Sequence, residues 1–197
     1  MKRGRRAPTV AMKAIPLLVL AWVGAIHLAG GQAMAKPTGG ILGQDAPEWK
    51  VEEWISLPTG MKAGPKLGDL KGKTVYLYCF QSWCPGCHSS GFPTLKEVSD
   101  HFKGDDEVAF VVMQTVFEGF SANTPEKARA VARKYDLEHL PFAQSGTRER
   151  ESDIMKSYRT RGTPWTIIIG PDGKVAYNDF HIKAAEAIEL IDELKED

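Results

Sequence analysis

Two cysteines three residues apart are the part of this sequence best suited to chemistry. They lie in the segment Trp83-Cys84-Pro85-Gly86-Cys87-His88, shortly after the apolar run 74–80. A helix that begins near Cys84 would put both sulfurs on one face. The spacing also suits a disulfide that opens and closes without refolding of the backbone. Such a pair can exchange electrons with the cysteines of other proteins.

The order of the two cysteines predicts a different role for each. Pro85 suits the first turn of a helix, because the N–H that proline lacks has no intrahelical acceptor there. Unpaired amides at that end of a helix stabilise a thiolate, so Cys84 is the expected nucleophile. Cys87, one turn further on and more buried, would resolve the mixed disulfide, and an oxidising enzyme runs the same steps in reverse. This chemistry uses no cofactor and no metal, and none is predicted.

A strand before the motif and a helix after it must position the two thiols. The run 74–80 is apolar on both faces and predicts a central strand. The helix after the motif has core-facing residues at Leu95 and Val98, and Pro93 is expected to kink it. A second buried strand over residues 107–113 completes a βαβ unit with parallel strands.

The other predicted elements follow from caps, turns and periodicity. They are an edge strand within 47–58, a helix that begins at Thr124-Pro125, a short helix over 153–161, a hairpin of strands over 163–169 and 174–177, and a last helix over 182–194. No strand is predicted within 137–150, where a charged run, Arg148 to Glu151, is expected to face solvent. This order of elements predicts an α/β protein with a mixed sheet and helices on both faces.

The first 35 residues have the three parts of a secretory signal peptide. Five basic residues and no acidic ones accompany an apolar stretch over 15–29, and Ala33-Met34-Ala35 forms a small-x-small cleavage site. The alternative is a retained membrane anchor, because residues 15–35 are just long enough to span a bilayer. Either reading predicts a periplasmic or otherwise extracytoplasmic protein, in contact with the membrane only if the segment is retained.

The remainder of the chain divides into a flexible lead-in over 36–46 and one domain over 47–197. The formal net charge of the whole chain is zero, but 20 Lys+Arg and 25 Asp+Glu follow residue 35. The net charge of this part is therefore about −5, and its sign gives no indication of nucleic-acid binding.

Taken together, these motifs resemble the thioredoxin fold, and more narrowly the exported thiol-disulfide oxidoreductases of the TlpA and ResA type. The resemblance rests on Trp83-Cys84-x-x-Cys87, Gly162-Thr163-Pro164 and Pro171-Asp172-Gly173-Lys174, and it extends from Pro47 to the C-terminus. It implies a mixed central sheet flanked by helices on both faces, with an added N-terminal strand segment and a helical insertion.

The resemblance also implies roles for individual residues and for partners. Pro164 would be a cis-proline beside the cysteine pair and, with Thr163, would frame the groove where an extended substrate docks. Trp83 would flank the site, and Pro85 and Gly86 would set the loop and its reduction potential. The implied partners are cysteine-containing exported proteins, which this protein would reduce with electrons from a membrane donor.

Some residues depart from the family pattern. The buried acid that often accepts the proton of the resolving cysteine is replaced here by Tyr78, and a glutamate common three residues after that cysteine is replaced by Ser90. The acceptor therefore stays open among His88, Glu97 and water. The late position of Pro93 suggests that the helix holds one extra residue.

Two other functions use similar residues. Cys84-x-x-Cys87-His88 also matches the c-type haem attachment signature, although haem needs a distal ligand and an apolar pocket as well. Thiol peroxidases of the peroxiredoxin type also use a thiolate at a helix N-terminus, but they carry a Thr or Ser and a Pro where this chain has Gln81 and Leu77. The third cysteine, Cys79, lies in the apolar strand and is expected to be buried and inert.

Overall fold

Six strands form one mixed sheet in this computed structural model, which describes residues 40–196. The strands, listed in chain order, are β1 (Glu53–Ser56), β2 (Thr74–Phe80), β3 (Val108–Thr115), β4 (Phe142–Ser145), β5 (Trp165–Ile169) and β6 (Val175–Asp179). Their spatial order is β1-β4-β3-β2-β5-β6. The pairs β2/β3 and β3/β4 are parallel, and the other three pairs are antiparallel.

Within residues 40–196, four α-helices cover the two faces of the sheet. They are α1 (Phe92–His101), α2 (Pro125–Lys134), α3 (Asp153–Ser157) and α4 (Ala184–Glu196). Every residue of β2 is buried, because helices or loops pack on both sides of this strand. Alternate side chains of β2 point to opposite faces of the sheet. Tyr76, Tyr78 and Phe80 join the core under α1, α2 and α4. Val75, Leu77 and Cys79 join the core under α3. The predicted α/β architecture is confirmed.

The register of β2 against β5 determines which loops meet at the edge of the sheet. Cys79 lies opposite Trp165 in this antiparallel pair. The end of β2 and the start of β5 therefore lie at the same edge. As a result, the segment that follows Phe80 contacts the segment that precedes Trp165.

Other predicted elements are also confirmed. The edge strand is β1, the hairpin is β5 with β6, and the last helix is α4, shifted two residues toward the C-terminus from its predicted bounds. The helix α2 begins at Pro125 with Thr124 as its N-cap, and the Thr124 hydroxyl accepts a hydrogen bond from the Lys127 N–H at 3.4 Å. The charged run from Arg148 to Glu151 is exposed as expected.

Two elements differ from the sequence-based prediction. The strand β4 was not predicted, because only four residues form it and two of them are polar. One of the polar residues, Gln144, has a side-chain oxygen that accepts a hydrogen bond from the Gln114 side-chain amide at 3.2 Å. The prediction that α3 extends to Arg161 is wrong. The helix α3 ends at Ser157, because Arg159 adopts a left-handed conformation with φ of 53° and an α-helix cannot continue through such a residue.

Part of the segment predicted as a lead-in packs on the sheet. Ile41 is buried, and the Gly43 N–H donates to the Val175 carbonyl at 2.8 Å. The Ala46 N–H donates to the Gly173 carbonyl at 2.9 Å. The folded domain thus includes residues 40–46, whereas the predicted signal segment, 1–35, lies outside the described residues. Among residues 40–196, none of the helices has the length and apolar character needed to cross a membrane.

Candidate active site

The cysteine motif occupies the turn between β2 and the helix that leads into α1. The Cys84 N–H donates to the Gln81 carbonyl at 3.0 Å, which forms the turn, and the His88 N–H donates to the Cys84 carbonyl at 3.3 Å, which starts the helix. Pro85 therefore stands in the first turn, as predicted. The Cys87 N–H donates to the Cys84 sulfur at 3.3 Å, so an amide of this first turn is directed at the predicted nucleophile.

The two thiols differ in burial. Cys84 is 6% exposed and Cys87 is fully buried, so the predicted order of accessibility is confirmed. Burial, followed by the hydrogen bond with Cys84, raises the pKa of Cys87 to about 12. Cys87 therefore remains a thiol over the physiological range in the reduced protein.

Thr163 and Pro164 form the wall opposite the motif. The peptide bond between them is cis, as the resemblance implied. The Cys84 thiol donates to the Thr163 carbonyl at 3.5 Å. A Cβ atom at Gly86 would lie 3.2 Å from Pro164 Cδ, so the loop packs closely against the proline ring. The structure thus brings Cys84, Gly86, Thr163 and Pro164 together.

The other two predicted loop residues face outward. Pro85 is exposed, and Trp83 is 45% exposed, which confirms the expectation of a partly exposed aromatic side chain beside the motif. The Trp83 ring rests on Gly119, where an added Cβ would lie 2.9 Å from the indole nitrogen. Both residues are accessible to a substrate that approaches Cys84.

A π-helical turn over Cys87–Gly91 holds the extra residue that the position of Pro93 suggested. Within it, the Phe92 N–H donates to the Cys87 carbonyl instead of the His88 carbonyl. Because Pro93 has no N–H, the His88 carbonyl has no helical donor on that side, and the Tyr135 hydroxyl donates to it at 3.2 Å. The turn therefore depends on a residue of the α2 end that sequence reasoning did not single out.

The imidazole of His88 is held at both nitrogens. Nε2 lies 2.8 Å from the Ser82 carbonyl oxygen, and Nδ1 lies 2.9 Å from the Tyr135 hydroxyl oxygen. Since a carbonyl only accepts, Nε2 carries a proton that it donates to Ser82. A ring used in this way has no nitrogen free to bind iron or to accept the Cys87 proton without breaking a hydrogen bond. The other side chain considered as an acceptor, Glu97, is exposed.

Two residues near the motif, Gly91 and Phe180, were missed in the sequence analysis. Gly91 lies in the π turn, and an added Cβ there would lie 1.9 Å from the Tyr78 hydroxyl oxygen. A lone glycine inside a helix is the signal that could have indicated this close contact. The ring of Phe180 is 45% exposed and covers Gly162, next to Thr163. No local pattern marks Phe180, because its position depends on the β5/β6 hairpin.

Cys79 is separated from the pair by its position on the other face of β2. It is fully buried in the core under α3, and burial raises its pKa. An un-ionised, inaccessible thiol is unreactive, so the predicted burial is confirmed.

We expect the alkylation rate of Cys87 in a Cys84→Ser protein to rise about tenfold for each pH unit between about pH 8 and pH 10. A thiol reacts as its thiolate. Burial is the largest of the causes that raise the pKa of Cys87 to about 12 in the wild type, and it remains in this variant, so the thiolate fraction should still increase throughout this range. Mass spectrometry of the Cys87 peptide after timed iodoacetamide treatment measures the rate. Glutathione, the control, should level off near its ordinary pKa; a plateau for Cys87 at the same pH would contradict the prediction.

The chain is similar to one protein family and to curated proteins. The Redoxin family model matches residues 42–187. "Probable nucleoredoxin 3" of Oryza sativa subsp. japonica is 30% identical over 135 residues, which are 66% of this chain and 25% of that protein. "Thiol-disulfide oxidoreductase ResA" of Bacillus subtilis (strain 168) is 28% identical over 133 residues, 68% of this chain and 64% of that protein. The chain thus spans a quarter of the first relative and under two thirds of the second.

Solved structures give the same picture of the fold. A thioredoxin-like superfamily protein, SPOA0173, superposes with a TM-score of 0.69 at 28% identity and covers 78% of this chain and 97% of that one. A thiol-disulfide isomerase from Corynebacterium glutamicum superposes with a TM-score of 0.66 at 27% identity, over 77% of this chain and 97% of that one. The resemblance to TlpA- and ResA-type proteins that the motifs predicted is confirmed. The chain belongs to the Redoxin family and has the thioredoxin-like fold.

Proposed function

We propose that this protein is an exported thiol-disulfide oxidoreductase that exchanges a Cys84–Cys87 dithiol or disulfide with cysteines of other exported proteins. One observation carries the proposal. The Cys84 sulfur lies between the Cys87 amide, at 3.3 Å, and the Thr163 carbonyl, at 3.5 Å, with the Cys87 thiol buried behind it. This arrangement has one nucleophile that reaches the surface with a small exposed area, one fully buried resolving thiol and a backbone wall for an extended substrate. The relatives named as a thiol-disulfide oxidoreductase and a thiol-disulfide isomerase support the same chemistry.

The reaction proceeds by two displacements at sulfur. The Cys84 thiolate attacks a client disulfide, forms a mixed disulfide and releases one client sulfur, which takes up a proton. Cys87 then loses its proton and attacks the Cys84 sulfur; the new Cys84–Cys87 bond replaces the bond to the client, whose second sulfur leaves and is protonated. Cys84 contributes to the raised pKa of Cys87 in the free enzyme. When Cys84 is bonded to the client, its sulfur no longer carries the negative charge that opposes ionisation of Cys87.

We propose the reductive direction, in which the dithiol is the form that meets the client. The support is the resemblance to TlpA- and ResA-type proteins together with the uncharged Pro85 and Gly86 between the cysteines. A protein whose dithiol form is stabilised is a stronger oxidant. Neither residue between the cysteines carries a charge that would stabilise a thiolate in this form. Each turnover leaves a Cys84–Cys87 disulfide, so a membrane electron donor is proposed to regenerate the dithiol.

The proposed extracytoplasmic location rests on the pattern of residues 1–35, either as a cleaved signal peptide or as a retained anchor. A protein that meets disulfide-containing clients must work in an oxidising compartment, since cytosolic thiols are kept reduced. The signal-like pattern of residues 1–35 and the proposed disulfide chemistry therefore both favour an extracytoplasmic location.

The two rival functions have less support. Haem attachment through Cys84 and Cys87 requires a free His88 nitrogen for iron, and both nitrogens are hydrogen bonded. Peroxidase chemistry of the peroxiredoxin type uses a hydroxyl side chain three residues before the nucleophile, where this chain has the amide of Gln81. Thiol-disulfide exchange needs neither feature.

Exposed aromatic rings lie on both sides of the nucleophile and suggest how a client docks. Trp83 and Phe180 are each 45% exposed, and with Met61 they are the large apolar side chains exposed among residues 40–196. Trp83 precedes Cys84, and Phe180 covers Gly162 on the other side of Thr163. Apolar side chains that flank a client cysteine would cover these two rings, so the proposed clients are unfolded or extended segments.

Capture of clients by a reduced Cys87→Ser protein tests the proposed function. Without the resolving thiol the mixed disulfide persists, so we expect dithiothreitol-sensitive adducts in an extracytoplasmic extract whose free thiols have been alkylated. Adducts under this condition can form only with client disulfides, which is the reductive direction. The readout is non-reducing electrophoresis with mass spectrometry.

Two further variants in the Cys87→Ser protein separate chemistry from docking. Phe180→Ser should lower the adduct yield about fivefold or more, because an apolar anchor beside the thiol is lost. Met61→Ser is the matched control; Met61 is 39% exposed and lines a cavity with Phe102 and Leu140, at the opposite end of the sheet, so its yield should not change. An absence of adducts would refute the reductive function proposed here, whereas an unchanged yield with Phe180→Ser would refute only the docking role.

A further inference from the structure

We infer that the Tyr78 hydroxyl donates a hydrogen bond to the Cys87 sulfur when Cys87 ionises, and that it so stabilises the thiolate of the resolving step. The inference rests on the proposed function, because it assigns a positioning residue to that reaction. It concerns the position where the family often has a buried acid and this chain has a tyrosine.

Packing fixes the direction of the Tyr78 side chain. Tyr78 is 1% exposed and lies on the face of β2 that carries Phe80. Its ring meets the Phe92 ring edge to face, with centroids 5.3 Å apart, and stacks on the Phe80 ring at 6.3 Å. A ring held on two sides by aromatic neighbours delivers its hydroxyl to one place.

That place is the π turn that begins at Cys87. An added Cβ at Gly91 would lie 1.9 Å from the Tyr78 hydroxyl oxygen and 3.1 Å from Pro164 Cβ. The hydroxyl therefore fills the space that Gly91 leaves empty, between the helix and the cis-proline wall of the site.

In this structure, where Cys87 is a free cysteine, the hydroxyl has no hydrogen-bond partner among the described residues, sulfur included, although it is fully enclosed. A buried donor without a partner is costly, and native structures rarely keep one unless it has a role. Burial raises the pKa of Tyr78 well above its ordinary value, and the negative charge of Cys87 raises it further. Cys87 thus affects the ionisation of this hydroxyl more than the other two neighbouring groups, Tyr76 and Cys84, do.

The same burial defines what Tyr78 does in the reaction. A tyrosine whose pKa is raised stays protonated, so it acts as a donor and not as a base. The proton that Cys87 loses finally reaches the departing client sulfur, and Tyr78 gains and loses none. Its hydrogen bond favours the ionised Cys87 sulfur over the neutral thiol, which makes the attack on Cys84 faster.

Single-turnover reaction of the reduced protein with Ellman's reagent separates the two steps. Attack by Cys84 releases the first thionitrobenzoate, and attack by Cys87 on the mixed disulfide releases the second. Tyr78→Phe removes only the hydroxyl oxygen, and we expect the second release to slow about tenfold or more at neutral pH, with its pH profile displaced upward by about one unit. The first release should keep its wild-type rate.

Tyr76→Phe is the matched control. Tyr76 lies on the same face of β2, is fully buried, and has its hydroxyl near Thr166 instead of Cys87. The Cys84 thiol beside Cys87 and the Cys79 thiol on the other face of β2 are present in both variants, so any change in the pH profile comes from the deleted hydroxyl. The second release of Tyr76→Phe should match that of the wild type.

The outcomes distinguish this inference from the proposed function. A wild-type protein that never releases the second thionitrobenzoate refutes the proposed function, whereas a Tyr78→Phe profile that superposes on the wild-type profile refutes only the role of Tyr78. If Tyr78→Phe fails to fold, NMR of the reduced wild type decides. A Tyr78 hydroxyl proton with a nuclear Overhauser effect to the Cys87 β protons lies within reach of the sulfur and supports the inference, and a hydroxyl without this effect overturns it.

Discussion

Replacement of Cys84 by serine is expected to lower the reduction of insulin disulfides by about three orders of magnitude or more, to the level of the dithiothreitol present. A serine hydroxyl stays un-ionised at neutral pH and cannot form the mixed disulfide, so both displacements are lost. The turbidity of precipitating insulin B chain measures the rate. Since the Cys84 side chain is small and touches the surface, the variant should remain folded.

Cys79→Ala is the control for the loss of a thiol as such. Cys79 packs in the core under α3, on the face of β2 turned away from the pair. Its replacement should leave the rate of insulin reduction unchanged, with a small loss of stability from the reduced volume. Full activity of Cys84→Ser would contradict the assignment of the nucleophile and, with it, the proposed function.

Gly91→Ala is expected to lower the free energy of unfolding by about 2–3 kcal/mol. The backbone alone predicts the opposite: Gly91 has helical angles, φ −60° and ψ −53°, where alanine is favoured over glycine by about 1 kcal/mol. The methyl group, however, would lie 1.9 Å from the Tyr78 hydroxyl oxygen and 2.8 Å from its Cζ atom. The ring is enclosed by Phe80 and Phe92 and cannot move aside without disturbing the core.

Urea denaturation measures this effect as a lower midpoint at an unchanged m-value. Gly68→Ala is the matched control, since a Cβ at Gly68 would meet only the Glu48 carboxylate, at 3.8 Å. Addition of Tyr78→Phe to Gly91→Ala should recover part of the lost stability, because the closest of the clashing atoms is removed. A Gly91→Ala protein as stable as the wild type would contradict the close contact between Gly91 and Tyr78.

Elements with strong local signals could be predicted from the sequence. The apolar run of β2 has the predicted bounds, and Thr124-Pro125 begins α2 because a capping hydroxyl and a proline both favour that position. The turn at 171–173 joins β5 and β6 as expected. In each case the residues that define the element lie within it.

Elements that depend on distant partners could not be predicted. The strand β4 is short and half polar, and it is a strand because β3 and β1 supply hydrogen bonds on both sides. The end of α3 depends on Arg159, whose left-handed conformation has no sequence signal for arginine. The π turn depends on Pro93 locally but also on Tyr135, which satisfies the His88 carbonyl from another helix.

The sequence by itself determined which chemistry to expect: two cysteines after a buried strand, with a proline that starts a helix, favour thiol exchange, because residue type and spacing set reactivity. Only the tertiary structure decided which groups surround the sulfurs. The Thr163 carbonyl, the Gly91 cleft, the Tyr78 hydroxyl and the Phe180 ring meet the motif because the antiparallel register of β2 and β5 and the packing of α1 bring them there. Contacts between residues far apart in the chain depend on the whole fold, and no local pattern encodes them.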